Sequence, residues 1–294
     1  MPCENPGRRR SAGSRAKRVG LAAVGAVGLA LLAGCSAETE RQIRGLAMPE
    51  PATEQAPAIY DLWRWAWLAA ILVGIIVWGL IGYVVVRYRR RHEDEVPVQT
   101  RYNLPLEIFY TVAPIMMVVV FFYWTLTVQN EVLDEQDPDV ELEVVGQQWS
   151  WTFNYPYTSD EGDEGYVYYS GTASEIPTLV LPEGERVQFN LHSPDVIHGF
   201  WVPGFLMKMD VIPGRTNNFQ VVPNQEGFFK GKCTEFCGVS HSRMLFNVDV
   251  VSPEEYEAYL DELAGTGQNF SPEPVTGGDD ADTVAGLEEE EASQ

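Results

Sequence analysis

The chain predicts a two-helix transmembrane hairpin followed by an all-β barrel, and three observations carry that reading. Two uncharged apolar runs, residues 65–86 and 108–128, are each long enough to cross a hydrocarbon core. Between them lie Arg87, Arg89, Arg90, Arg91 and Arg101, a cluster that the positive-inside rule assigns to the cytoplasmic side. From Val140 onward the composition changes to short β-branched and aromatic runs punctuated by Gly and Pro, which is the pattern of strands in a sandwich or barrel.

The elements follow in order. Residues 1–34 read as a removable leader: Arg8, Arg9, Arg10, Arg15, Lys17 and Arg18 precede an apolar run, Val19 to Ala33, that is too short to span comfortably. The leader ends in Leu32-Ala33-Gly34-Cys35, which resembles the bacterial lipoprotein cleavage box and makes Cys35 a lipidated mature N-terminus. An ordinary signal peptide with an incidental cysteine is the competing reading. Residues 35–62 form an outward N-terminal segment, and 63–130 form the two-span hairpin around a cytoplasmic loop, 87–104. Trp63, Trp65 and Trp67 stand where an interfacial aromatic belt belongs, and Pro114 is expected to kink the second span. Both mature ends then face outward, as an external lipid on Cys35 requires. Two buried core helices are the alternative to spans, and the flanking arginines argue against it.

Residues 131–265 hold the outward domain. Its expected strands include L-E-V-V-G-Q-Q-W-S-W-T-F, T-L-V-L-P-E-G-E, V-Q-F-N-L, N-N-F-Q-V-V and M-L-F-N-V-D-V-V. The acidic, Tyr-rich stretch 158–171 reads as a loop insertion or long hairpin, and Pro253 to Ala264 as a short helix with an acidic first turn. Residues 266–294 have little apolar content and are expected to be an acidic disordered tail. The 294 residues carry a net charge of −22, and loss of the leader leaves −27, with 14 basic against 41 acidic residues. Such a chain has no use for nucleic acid, and its partners should present positive surface.

Chemistry concentrates in K-C-T-E-F-C-G-V-S-H-S-R-M, which places Cys233, Cys237, His241 and Met244 within thirteen residues. Two thiolates, an imidazole and a thioether form a soft donor set that selects copper over magnesium, calcium or manganese. A single-copper loop needs one cysteine, whereas two cysteines four residues apart can each bridge the same two ions. A second imidazole must then cap the second ion, and His198 lies upstream in D-V-I-H-G-F-W-V-P. A disulfide would leave His241 and Met244 at ligand spacing by coincidence. Zinc would use the cysteines and histidines but gives the methionine no role. His192 lies on a strand whose face can hold a solvated histidine, and His92 sits in the arginine-rich loop. A copper loop between two late strands, with one ligand from an earlier loop, suggests a cupredoxin-like barrel.

This pattern resembles the binuclear CuA centre of cytochrome c oxidase subunit II, and the likeness covers roughly residues 60–260. It implies copper ligation by His198, Cys233, the Glu235 carbonyl, Cys237, His241 and Met244, with the Glu235 carboxylate on a magnesium ion at the subunit I boundary. In Gln147-Gln148-Trp149-Ser150-Trp151 it gives Trp149 the role of accepting the incoming electron, while Trp151 fits a buried barrel tryptophan. It places Glu107, in L-P-L-E-I-F-Y, at the mouth of a proton path into subunit I. Neither span holds a histidine, so haem and oxygen reduction belong to the partner subunit. The implied partners are oxidase subunits I and III, the membrane, and cytochrome c or a cytochrome bc complex with a tethered cytochrome c. The implied activity is respiratory electron transfer coupled to proton pumping. The competing function is a membrane-tethered copper-binding or copper-delivery lipoprotein. A quinol oxidase subunit would lack the copper ligands, and a nitrous oxide reductase would need a propeller for which the chain has no room.

Overall fold

The computed structural model describes residues 37–277, apart from 93, 94, 97, 160, 161, 173 and 266–268. The leader, its cleavage box, Cys35 and residues 278–294 lie outside the described residues. The chain divides into two units at Met48–Pro49. The described part of the first contains helix α1, Ala37–Arg44, in which Arg44 pairs with Glu40 one turn earlier.

The second unit begins with helices α2, Ala56–Arg87, and α3, Leu104–Val132. At 1.5 Å per residue, 32 and 29 residues reach about 48 and 44 Å, enough to cross a bilayer and project beyond it. Their apolar side chains face outward: Trp65, Leu72, Ile75, Trp78, Phe109, Val118 and Phe122 are all exposed. Only a lipid or protein surround accounts for that much bare apolar surface. Pro57 and Pro105 sit in the first turns, where a missing N–H costs nothing. Asn103 caps α3 by accepting from the Leu106 N–H at 3.3 Å, and the Glu107 carboxylate accepts from the Asn103 N–H at 3.0 Å. The helix runs through Pro114 as one element.

Both ends of the hairpin are tied to one end of the β domain. The Ala52 N–H donates to the Gly204 carbonyl at 2.9 Å, and the Glu54 N–H to Val222 at 2.9 Å. After α3, Gln136 exchanges two bonds with the Gln220 side chain, at 3.0 and 2.7 Å. The loop between the helices therefore lies at their far ends.

The domain contains β1 Val140–Gln147, β2 Ser150–Thr158, β3 Glu164–Ser170, β4 Thr178–Pro182, β5 Val187–His192, β6 His198–Val202, β7 Met207–Val211, β8 Asn217–Val221, β9 Gly227–Cys233, β10 Leu245–Val251, and β11 Phe270–Ser271. They form two sheets, ordered β11-β3-β2-β1-β5-β8 and β4-β10-β9-β6-β7. Alternation on β5 shows why: Val187, Phe189 and Leu191 are buried while Gln188, Asn190 and His192 are partly exposed. Trp151, Phe153, Phe189, Phe200 and Phe246 fill the space between the sheets, with Phe200 stacked on Phe246 at 4.8 Å. Helix α4, Pro253–Gly265, starts from a Ser252–Glu255 capping box and buries Tyr256, Leu260 and Leu263.

Two sequence expectations need adjustment. The run expected around Gln147–Trp151 is split by a tight turn, because Gln147 pairs with Ser150 across it. Of the two readings open for 158–171, the structure has the hairpin, with β2 paired to β3. The tail expected to be structureless from 266 is ordered over 269–277, where Phe270–Ser271 pairs with Val167 and Tyr166. An edge strand supplies backbone partners that composition alone does not reveal.

Candidate metal centre

The centre is built at the end of the barrel opposite the hairpin ties. Strand β9 delivers Cys233, and the loop that follows returns through a single 3-10 turn, His241–Arg243, to Met244 at the start of β10. The Cys233 N–H donates to the Met244 carbonyl at 3.0 Å and closes the loop at its base. Strand β6 opens on His198, and the Thr234 N–H donates to the Gly199 carbonyl at 3.0 Å. Only glycine fits at 199, since a Cβ there would stand 2.3 Å from Thr234 Oγ1.

The six expected donors come together. The Cys233 and Cys237 sulfurs are 3.9 Å apart, far beyond the ~2.05 Å of a disulfide, and both are buried free thiols. His198 Nδ1 lies 3.9 Å from Cys233 Sγ, and the Glu235 carbonyl oxygen 3.2 Å from the same sulfur. His241 Nδ1 lies 3.5 Å and Met244 Sδ 3.8 Å from Cys237 Sγ. His198 and both sulfurs fall within 4.8 Å of one another, a cluster that excludes His241. The imidazoles therefore flank the sulfur pair instead of converging on one point. One tetrahedral ion would leave donors unused, whereas two ions sharing the sulfurs would use them all.

Electrostatics argue the same way. Burial pushes the Cys233 thiol up, but the His198 imidazole and the Gly199 and Glu235 backbone outweigh it and bring Cys233 down to about 7. Burial, followed by the charge of Cys233, pushes Cys237 up to about 12. Two adjacent buried thiolates repel, and a cation between them removes the conflict. The residues present therefore fit a copper pair.

Supporting residues complete the cage. Burial lowers the basicity of His198, but Asp195, which accepts from Nε2 at 2.8 Å, and then Cys233 raise it overall. With its proton on Nε2, His198 keeps the Nδ1 lone pair for metal. The other Asp195 oxygen accepts from the Gln148 N–H at 2.7 Å, while Gln148 Nε2 and Trp149 Nε1 donate to the Cys237 carbonyl at 2.6 and 3.2 Å. Half-buried Trp149 thus hangs directly on the cysteine loop, and Trp151 is fully buried 6.3 Å from the His198 ring. Asp195 and Gln148 were not singled out from sequence. The Ser193-Pro194-Asp195 turn before a histidine was the available signal, because such side chains bond to nearby backbone.

The remaining candidates lie apart. The Glu235 carboxylate is exposed, with only its carbonyl turned to the sulfurs. His192 pairs with Glu143 on the outer face of the first sheet. Glu107 is in the first turn of α3, at the other end of the molecule.

Fold and site define a membrane-anchored, cupredoxin-like domain carrying a paired-thiol metal cage. The family profile "Cytochrome C oxidase subunit II, periplasmic domain" matches residues 140–251. A probable cytochrome c oxidase subunit 2 of Streptomyces avermitilis is 48% identical over 273 residues, covering 82% of this chain and 85% of that protein. The subunit 2 of Mycobacterium tuberculosis is 36% identical over 282 residues, covering 78% and 77%. A crystal structure of the periplasmic domain of subunit II of Bradyrhizobium japonicum cytochrome oxidase is 25% identical, with a TM-score of 0.39 over 45% of this chain and 97% of that one. The chain belongs to the cytochrome c oxidase subunit II family.

Proposed function

We propose that this chain receives electrons for a respiratory cytochrome c oxidase through a binuclear copper centre held by His198, Cys233, the Glu235 carbonyl, Cys237, His241 and Met244. The observation that carries this reading is the unbonded sulfur pair, 3.9 Å apart, with an imidazole beside each sulfur. When bound, the copper pair supplies reversible one-electron storage. The protein's part is to hold that pair rigid and dry: Met244 and His198 are fully buried, and both cysteines nearly so. Rigid donors keep the cost of reorganisation small. Trp149 gives an aromatic edge between the surface and the Cys237 carbonyl, and so is the point of electron arrival from cytochrome c or from a cytochrome bc complex with a tethered cytochrome c.

The remaining assignments extend this reading. An apolar groove of about 1110 Å³ between α2 and α3, lined by Leu68, Leu72, Met116, Val120 and Trp124, suits a helix of the haem-bearing subunit I. The exposed Glu235 carboxylate suits a magnesium ion at that boundary, and Glu107 suits a proton path on the opposite side. Subunit III completes the assembly, and proton pumping resides in the complex. Cys35 carries lipid on the outer side, which peptide mass spectrometry of the purified chain checks. Electron paramagnetic resonance of the isolated complex tests the centre. We expect one unpaired electron shared over two copper nuclei, and four hyperfine lines from a single copper would refute the assignment.

A further inference from the structure

Residues 269–277 play no part in the donor set, yet they end beside it. Strand β11 joins the edge of the first sheet, and the chain then crosses over β2. There Val275 donates its N–H to Asn154 Oδ1 at 2.8 Å and accepts from Asn154 Nδ2 at 3.1 Å. Asn154 is fully buried in the middle of the sheet, and the same Nδ2 donates to the Glu143 carbonyl at 2.9 Å. A buried amide in a strand is costly unless satisfied, and the crossing segment satisfies it. Gly277 then adopts φ +85°, so close to β1 that a Cβ there would stand 2.6 Å from Gln147 Oε1, 2.8 Å from Pro194 Cγ and 3.2 Å from Val145 Cγ1. Gln147 and Pro194 adjoin Gln148 and Asp195, whose side chains hold the Cys237 carbonyl and His198.

We propose that residues 269–277 form a strap that positions the metal centre. It presses the Gln147–Trp149 turn and the Ser193–Asp195 loop from outside, so that Gln148 and Asp195 stay aligned on the cage. The strap needs no metal to do this; only its effect on copper retention rests on the function proposed above. The segment pairs with β3 and bonds to Asn154, and beyond those contacts it closes on the two loops that support the donors.

The test uses the full chain, copper-loaded, against a variant ending at residue 268 and against Gly277→Val. The second keeps β11 and the Asn154 bonds, but a β-branched residue is strained at that φ and collides with Gln147. In both variants we expect hydrogen exchange at the Gln148 amide to quicken by about tenfold or more while β9 and β10 keep their protection. Copper loss to excess EDTA should quicken several-fold. Unchanged Gln148 exchange in both variants would overturn the proposal, as would an even loss of protection across both sheets. A wild-type chain that takes up no copper would defeat the functional reading instead, and the exchange comparison on that metal-free chain would still decide the strap.

Discussion

Cys233 and Cys237 differ although they lie on one loop, and the difference governs how the cage fills. His198 and nearby backbone bring Cys233 down to about 7, while burial and the first thiolate push Cys237 up to about 12. Both must lose protons to bind metal, so raising pH strengthens binding. Where Cys237 alone still holds its proton, one proton is displaced and we expect affinity to rise about tenfold per pH unit; nearer neutral pH the His198 proton, favoured by Asp195 and Cys233, adds to the slope. Below about 7 the second thiol proton adds to the slope. Chelator-competition titrations across pH check this, and a pH-independent affinity would contradict it. Trp149 makes a separate case. Its indole donates to the Cys237 carbonyl, but none of its atoms can ligate copper. Trp149→Ala should slow reduction by the donor while leaving the copper spectrum nearly intact. Stopped-flow reduction at the wild-type rate, at low donor concentration, would remove it from the path.

The helical hairpin and the barrel meet through a few short segments, and Gln220 carries one of those ties. Its side chain accepts from the Gln136 N–H and donates to both the Gln136 carbonyl and Gln188. Gln220→Ala strands those groups at a nearly buried position and should cost about 1–3 kcal/mol. Chemical unfolding of the detergent-solubilised chain measures it, and a loss under roughly 0.5 kcal/mol would mean that water replaces the bonds. Elements with a strong local signal were legible in the sequence: the two long apolar helices from uncharged length, α4 from its helical spacing and acidic first turn, and the grouping of Cys233, Cys237, His241 and Met244 from their closeness in one loop. Elements set by distant partners were not. β11 exists because β3 offers an open edge, and Val275 is held by an asparagine 121 residues earlier. The turn inside Gln147–Trp151 was hidden because both flanking strands are equally rich in strand formers. Asp195 and Gln148 matter through contacts with Cys237 and His198 that no local pattern encodes.

At the scale of the whole second unit, the sulfur pair and Glu107 lie at opposite ends, with the helical hairpin between them. The donors and Trp149 occupy the far end of the barrel, and Glu107 opens α3 at the opposite pole. A change at Glu107 therefore cannot reach electron arrival through contact. The residue has a local duty as well, because its carboxylate accepts from the Asn103 N–H and helps to start the helix. An effect of substitution could come from either role, and the choice of variant separates them. Glu107→Gln keeps an amide oxygen for the Asn103 N–H, so the helix start survives, but it removes the exchangeable acid. Glu107→Ala removes both. If the acid conducts protons, Gln and Ala should slow turnover of the intact oxidase alike, with normal copper content and normal reduction by the donor. Glu107→Asp should recover part of the rate, since it restores an acid set back by one methylene. If the cap alone matters, Gln should behave as wild type and only Ala should fall, by no more than the roughly 1 kcal/mol that a lost helix cap costs in stability. Wild-type turnover of Glu107→Gln across the working pH range would reduce Glu107 to a helix cap.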